Sequence, residues 1–496
     1  MSSPRPIPAL RLAQPNGRPP RPEGAYVLYW MIAARRPHWN FALEHAAAMA
    51  KALGKPLLVF EPLRAGSRWA SDRMHRFVLD GMRDHREHFA GSGIGYYPYV
   101  EPAHGEGSGL LEALAAEAAL VVTDDFPSHF LPRMVAATAK KLDVRLDVVD
   151  GNGLLPMRAA DRAFNRAFDF RRHLQRSFRD HVDDRPQEDP LAGTALPAFD
   201  HWPTGVRERW APADDALLDG DRGLAGLAID HAVPPTSLPG GFVAGEARAR
   251  RFVAERLAMY GEQRNEDGAT SGLSPYLHFG HVSAHQVFGL VEAAESWHPG
   301  LLSESTGGGR SGWWGMTEAA ESFLDELVTW RELGFGFGHH RPDQDCFDSL
   351  PDWAQTTLKE HAADPRPHVY TLAEFEQART HDELWNAAQN QLRHQGIIHN
   401  YLRMLWGKKI LHWSSGPEVA LDIMLELNNR YALDGRDPNS SSGIFWVLGR
   451  YDRAWGPERE VFGKIRYMSS ANTRRKMKVR DYVARWASPE PSLFEG

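Results

Sequence analysis

Trp385, Trp406 and Trp413 lie among helix formers in WNAAQNQLRHQGIIHNYLRMLWGKKILHW, and Trp446 closes the polar stretch LNNRYALDGRDPNSSSGIFW. Indoles are large, polarisable and oxidisable, and a buried indole N–H needs a partner. In a row they suit electron hopping. Beside a polar loop they suit stacking on a flat ligand. Trp406 and Trp413 are seven positions apart; on one helix that is two turns, roughly 10 Å along the axis. The same spacing also makes an ordinary aromatic core stripe, and a buried stripe of indoles is also a wire.

Two other groups carry chemistry. Thr270, Ser271, Gly272, Leu273 and Ser274 open SGLSPYLHFGHVSAHQVF. Small hydroxyl residues and a glycine before a helix suit phosphate, because backbone N–H groups and the helix dipole both favour an anion. Alone, the segment is an N-cap signal and nothing more. Tyr260 and Arg264 lie just upstream and could flank the same phosphates. In SFLDELVTWRELGF, Glu326 and Trp330 are spaced i,i+4 and share a helix face. A carboxylate beside an indole could hydrogen-bond a heterocycle stacked on that indole; an exposed Glu on an amphipathic helix reads the same way. His281 and His285 are also spaced i,i+4, but without a third ligand they read as core or surface residues, and no metal is expected.

Residues 25–150 alternate between apolar β-rich runs and Ala-rich or helical segments. AYVLYWMI, PLLVFEP, GIGYYPYV, LVVTDDF and VRLDVVD read as five strands, with four helices between them. That order implies a doubly wound parallel sheet, an α/β domain. The first strand leads into Ala33–Asn40 with no GxGxxG, so the dinucleotide fingerprint is absent. That loop could line a pocket at the strand ends, or be a plain turn. From residue 246 onward strand signals fade, and segments such as 316–334, 383–413 and 416–430 look helical. The expected organisation is a disordered Pro-rich arm (1–24), an α/β domain (25–165), a Pro/Asp/Gly-rich surface connector (166–245) and an all-α domain (246–490). Eleven of the sixteen tryptophans lie beyond residue 296, in or near that helical part.

The formal net charge of −7 argues against a general coat of nucleic acid, yet Trp446–Trp486 holds eleven Lys and Arg against four acids. A local basic patch on an acidic protein suggests phosphate contact at one place, or a solvated surface. A single cysteine, Cys346, excludes an internal disulfide and fits a reducing cytosol. No apolar run is long enough for a membrane span, and the start lacks a secretory signal.

Residues 25–486 resemble the photolyase–cryptochrome superfamily, and within it the class II DNA photolyases. The resemblance is carried by YVLYWM and WNFAL near the start, then SGLSPYLHFG, ELVTWREL, WNAAQ, LRMLWGKKILHW, LDGRDPN and VFGKIRYM, in that order. It implies light-driven repair: reduced FAD, held bent in the helical domain, gives an electron on excitation to a cyclobutane pyrimidine dimer flipped out of DNA. Tyr260, Arg264, Thr270, Ser271, Gly272, Leu273 and Ser274 match the family's FAD phosphate and ribityl contacts, and Arg331 is counted with the cofactor-binding residues. Arg403 and Asp434 match an ion pair beside the isoalloxazine, and Asn428 the amide near flavin N5. Glu326 matches the carboxyl that hydrogen-bonds the dimer. Trp330 and Trp446 match the walls of the lesion pocket, with Met404 against the dimer. Trp385, Trp406 and Trp413 match the photoreduction chain, with Trp406 nearest the flavin.

The resemblance further implies a monomer that takes damaged DNA, duplex or single-stranded, through the basic C-terminal surface. It implies a cytoplasmic protein, or a nuclear one in a eukaryote. A second, antenna chromophore of deazaflavin or folate type is allowed, although no motif for it stands in the sequence. The same residues leave two other readings open, a cryptochrome-like photoreceptor and a photolyase for the (6-4) photoproduct. Three stretches depart from the family pattern: VLGRYDRAW after Trp446, with Asp452 in place of a longer loop's Asp; Ser440-Ser441-Ser442 after LDGRDPN; and GFGFGHH after ELVTWREL.

Overall fold

The computed structural model describes residues 6–263 and 270–487. They divide into two compact units, one of Met1–Asp161, Leu174–Ala254 and Gly272–Leu302, the other of Arg162–His173, Glu255–Ser271 and Ser303–Gly496.

The first unit is built on a six-stranded sheet. Its strands are β1 (Leu12–Ala13), β2 (Tyr26–Trp30), β3 (Leu57–Leu63), β4 (Gly95–Val100), β5 (Ala118–Asp124) and β6 (Leu146–Val149), in the order β1-β6-β5-β2-β3-β4. The five expected strands are all parallel neighbours. Helices at Phe41–Leu53, Asp72–Phe89, Leu110–Ala116 and Leu131–Lys141 make the crossovers. Every residue of β2 is buried. Tyr26, Leu28 and Trp30 enter one core cluster, while Val27 and Tyr29 enter the other, on the opposite face. Alternate side chains thus fill two cores, which is why the run is apolar throughout.

The chain leaves β2 toward β3 and β4, then returns to β5 on the other side. The loop after β2 sits at this switch point, where open α/β sheets commonly hold ligands. Here it wraps the protein's own carboxylate. Asp124 Oδ2 accepts the backbone N–H groups of Ile32, Ala33 and Ala34 at 2.9, 2.8 and 3.0 Å, and Oδ1 accepts the Tyr29 hydroxyl at 2.8 Å. Asp124→Ala strips four donors, three of them buried, of their acceptor and is expected to cost about 3 kcal/mol or more, measured as a lower urea midpoint with unchanged slope.

Three sequence-based boundaries need correction. Within the expected disordered arm, residues 6–24 carry ordered structure. β1 pairs antiparallel with β6, and the fully buried Arg11 donates to the carbonyls of Asp150, Gly153 and Leu154 at 3.2, 3.0 and 2.8 Å. The expected connector is largely an integral part of the first unit. Leu217, Leu218, Leu224 and Leu227 bury against Val78, Leu79 and Met82 of the Asp72–Phe89 helix, and Arg76 donates to the carbonyls of Leu217, Leu218 and Gly220. The helix Gly241–Glu255 and the segment 272–302 also belong mainly to this unit, so the expected helical domain begins too early. His281 and His285 are core residues: both are buried, and the His281 ring stacks on Phe77 and accepts the Gly241 N–H at 3.0 Å.

The second unit is helical, with no β-strand among its described residues. The helical stretch 383–413 is two helices, Glu383–Gln395 and Asn400–Trp413, so Trp385 lies on the helix before the one that carries Trp406. Asp382 caps the first by accepting the N–H groups of Leu384 and Trp385, and Gly396 ends it in the left-handed region at φ 67°. That cap glycine is the usual stop signal. Two further helices, Pro417–Tyr431 and Pro438–Val447, complete the frame of the site.

Candidate active site

The helix Asn400–Trp413 carries Arg403, Met404 and Trp406 within one turn and Trp413 at its end. Trp385, Trp406 and Trp413 are at most 1% exposed. Trp385 donates its indole N–H to the Trp406 carbonyl at 3.0 Å, and Trp406 donates to Gln389 Oε1 at 2.8 Å. The Trp385 and Trp413 rings meet edge to face, centroids 6.2 Å apart. Trp385 therefore lies between the other two, giving the order Trp406, Trp385, Trp413. Around Trp413 gather His381, with centroids 4.7 Å apart, Tyr370 at 5.9 Å and the Lys409 ammonium at 5.0 Å.

One turn before Trp406, Arg403 binds both carboxylate oxygens of Asp434 at 2.8 and 3.1 Å, and reaches Ser440 Oγ at 3.4 Å. Both side chains are at most 15% exposed. Asn428 donates its amide to Ser440 Oγ at 3.0 Å and to Asn429 Oδ1 at 3.1 Å. Its own Oδ1 takes no donor among the described residues, so the acceptor end of a buried amide stands available next to an ion pair. That donor and acceptor set fits the polar edge of an isoalloxazine, and an amide oxygen fits a protonated ring nitrogen.

On another face of the same helix, Tyr401 and Met404 line a cavity of about 430 Å³ together with Trp446, Trp455, Arg459 and Arg466. Trp330 packs, as Trp446 does, against the cluster of Ala167, Phe170, Leu333, Phe337 and Tyr451. The two expected wall residues thus share a foundation, and Trp446 alone of the two lines the cavity. Glu326 and Trp330 fall in a π-helical turn, Asp325–Trp330, set between the helices Glu318–Leu324 and Arg331–His340. Such turns re-aim side chains and recur at functional sites. Arg331 is buried with its guanidinium 4.2 Å from the Phe335 ring centroid.

Among the other expected cofactor contacts, Tyr260, Thr270 and Ser271 belong to the second unit, with the Tyr260 ring against Phe323 at 5.4 Å. Gly272, Leu273 and Ser274 belong to the first. Gly272 has φ +66°, and a Cβ there would lie 2.1 Å from an Arg248 guanidinium nitrogen. The glycine is required by both its backbone angle and that close approach. Arg264 lies outside the described residues.

Sequence reasoning missed several residues. Arg248 brings a cation to the expected phosphate turn from 24 positions away, with no local signal. Gln389 is a buried acceptor for Trp406 hidden in a helical run. Ser440 did give a signal, since the serine triplet departs from the family pattern, and its hydroxyl joins Arg403 to Asn428. Asp452 gathers the loop after Trp446, accepting from Arg466 at 2.8 and 3.1 Å and from the Trp455 indole at 3.2 Å.

No protein-family model matches the chain. Among solved structures, a bacterial class III photolyase from Agrobacterium tumefaciens has the same fold, with TM-score 0.65 over 93% of this chain and 86% of its own, at 16% identity. The deoxyribodipyrimidine photo-lyase of Methanothermobacter thermautotrophicus is 36% identical over 486 residues, 97% of this chain and 98% of its own. That of Oryza sativa subsp. japonica is 34% identical over 96% of this chain and 89% of its own. Identity at that level, sustained along nearly the full length of each pair, means that the chain belongs to the deoxyribodipyrimidine photo-lyase family.

Proposed function

We propose that the protein binds FAD in its helical unit and repairs cyclobutane pyrimidine dimers in DNA under blue or near-UV light, as a class II enzyme of the family. One observation carries this reading: a single helix, Asn400–Trp413, bears the first indole of a buried relay (Trp406), half of a buried ion pair (Arg403) and part of a cavity wall (Met404). Electron entry, cofactor contact and substrate contact thereby share one rigid element.

The FAD, when bound, supplies the light-driven electron. The chain supplies placement and electrostatics. Arg403 and Asp434 present a paired charge to the flavin's polar edge, and Asn428 offers it an amide oxygen. Trp446 and Met404 give the flipped lesion an apolar wall, and Glu326 gives it a carboxyl. Flipping is required because the lesion is otherwise stacked inside the duplex. Arg459, Arg466 and Lys476 line the cavity and match backbone phosphates.

The test is to illuminate purified protein with dimer-containing oligonucleotide and follow loss of the lesion; a colourless protein that takes up no FAD ends the reading. Glu326→Ala is expected to keep FAD and slow dimer cleavage about 10²-fold, as for loss of one hydrogen bond aimed at developing charge. An unchanged repair rate in that variant removes Glu326 from the pocket.

A further inference from the structure

Lys408 is buried to 0% exposure on the helix Asn400–Trp413. It follows Tyr401 by seven positions and Met404 by four, so all three lie on one helix stripe. Tyr401 and Met404 line the cavity; Lys408 does not. Its ammonium donates to the Val447 carbonyl at 2.6 Å and stands 4.9 Å from the Trp446 ring centroid. Gly407 permits this approach, since a Cβ there would sit 2.6 Å from Val447 Cγ2. Two helices are therefore packed closely enough to seal a lysine behind an indole that itself faces the cavity.

A buried ammonium has three donors to place. One goes to Val447, and the electron-rich face of Trp446 is its other partner among the described residues. Burial lowers its pKa to about 7, Asp452 opposing this and Arg466 adding to it. Both of those groups belong to the loop beyond Trp446, and they bind each other at 2.8 Å.

We propose that Lys408 is a positioning residue for the lesion pocket: its ammonium holds Trp446 in the stacking pose and places a positive charge behind the wall that meets the dimer. The proposal rests on the reading that this cavity takes the dimer. A charged Lys408 draws electron density from the indole and attracts the carbonyl-rich edges of the stacked pyrimidines. A neutral one does neither. The charge is present below about pH 7 and lost above it, so preference for dimer over undamaged DNA should decline as pH rises.

The experiment measures affinity for matched dimer-containing and undamaged oligonucleotides at pH 6 and pH 8.5, in wild type, K408M and K408R. The ratio of the two affinities cancels phosphate contacts common to both. Wild type should lose about fivefold in this ratio between the two pH values, a typical partly desolvated cation–π effect. K408M should show the low ratio at both. K408R, whose charge does not titrate in this range, should show a high and flat ratio. A flat wild-type ratio, or a wild-type pH profile surviving in K408M, overturns the proposal. If neither variant folds, judged by thermal melting, the wild-type profile still decides. Absence of any preference for the dimer at either pH instead defeats the pocket assignment, and the proposal with it.

Discussion

Trp406→Phe is expected to abolish light-driven reduction of oxidised FAD while leaving repair by chemically reduced enzyme intact. In the proposed function Trp406 is the entry to the relay, because it shares its helix turn with Arg403, which with Asp434 forms the proposed flavin-side ion pair. Its carbonyl receives the Trp385 indole N–H, and Trp385 in turn meets Trp413. A phenyl ring is far harder to oxidise than an indole, so the first hop is lost while the Trp385 contact to the backbone carbonyl survives. The substitution also leaves Gln389 Oε1 without its donor, an expected stability cost of about 1–3 kcal/mol. Visible absorption of the bound flavin under illumination with an external reductant reads the first effect. Dimer loss after dithionite reduction reads the second. Photoreduction at the wild-type rate would move the relay to other residues. Trp413→Phe gives the graded control: it removes the last indole and should reduce the yield of stable reduced flavin without stopping the first hop.

What the sequence revealed and what it hid follows from the range of the interactions. The five parallel strands were legible because burial on both faces makes each a mainly apolar run, unbroken in β2 and interrupted by Glu61 in β3 and Asp147 in β6. The tryptophan set was legible by residue type, but not its order, because Trp385 comes between Trp406 and Trp413 only through a hydrogen bond spanning 21 residues. Composition misread 1–24 and 166–245. Proline and aspartate density reports loop character, whereas order in those segments comes from Arg11 reaching 139–143 residues ahead and from leucines closing on a distant helix. The break at Gly396 was readable in principle, since glycine just past His394 and Gln395 is a helix stop. The Arg403–Asp434 pair and the cavity could not be read from spacing alone. Their partners are 31 and more positions apart, and only the resemblance brought them together before the fold did.

Asp434→Ala is expected to lower stability by about 3–5 kcal/mol and to abolish FAD retention. Both side chains of the pair are largely out of water, at 10% and 15% exposure. Removing the carboxylate leaves the Arg403 guanidinium buried with only the Ser440 hydroxyl at 3.4 Å among the described residues. The loss would thus come from the stranded cation, and the pair itself has small net worth against an apolar isostere. A double variant separates the two. Arg403→Met with Asp434→Leu removes both charges and keeps apolar bulk, so its urea midpoint should lie closer to wild type than that of either single variant. It should still elute from gel filtration without flavin, because the pair proposed to present charge to the cofactor is gone. A double variant that is stable yet retains FAD would show that the pair serves packing alone. One as unstable as Asp434→Ala would show that the two charges are not coupled. Coupling with loss of FAD is the outcome that ties the ion pair to the cofactor through electrostatics and not through the integrity of the fold.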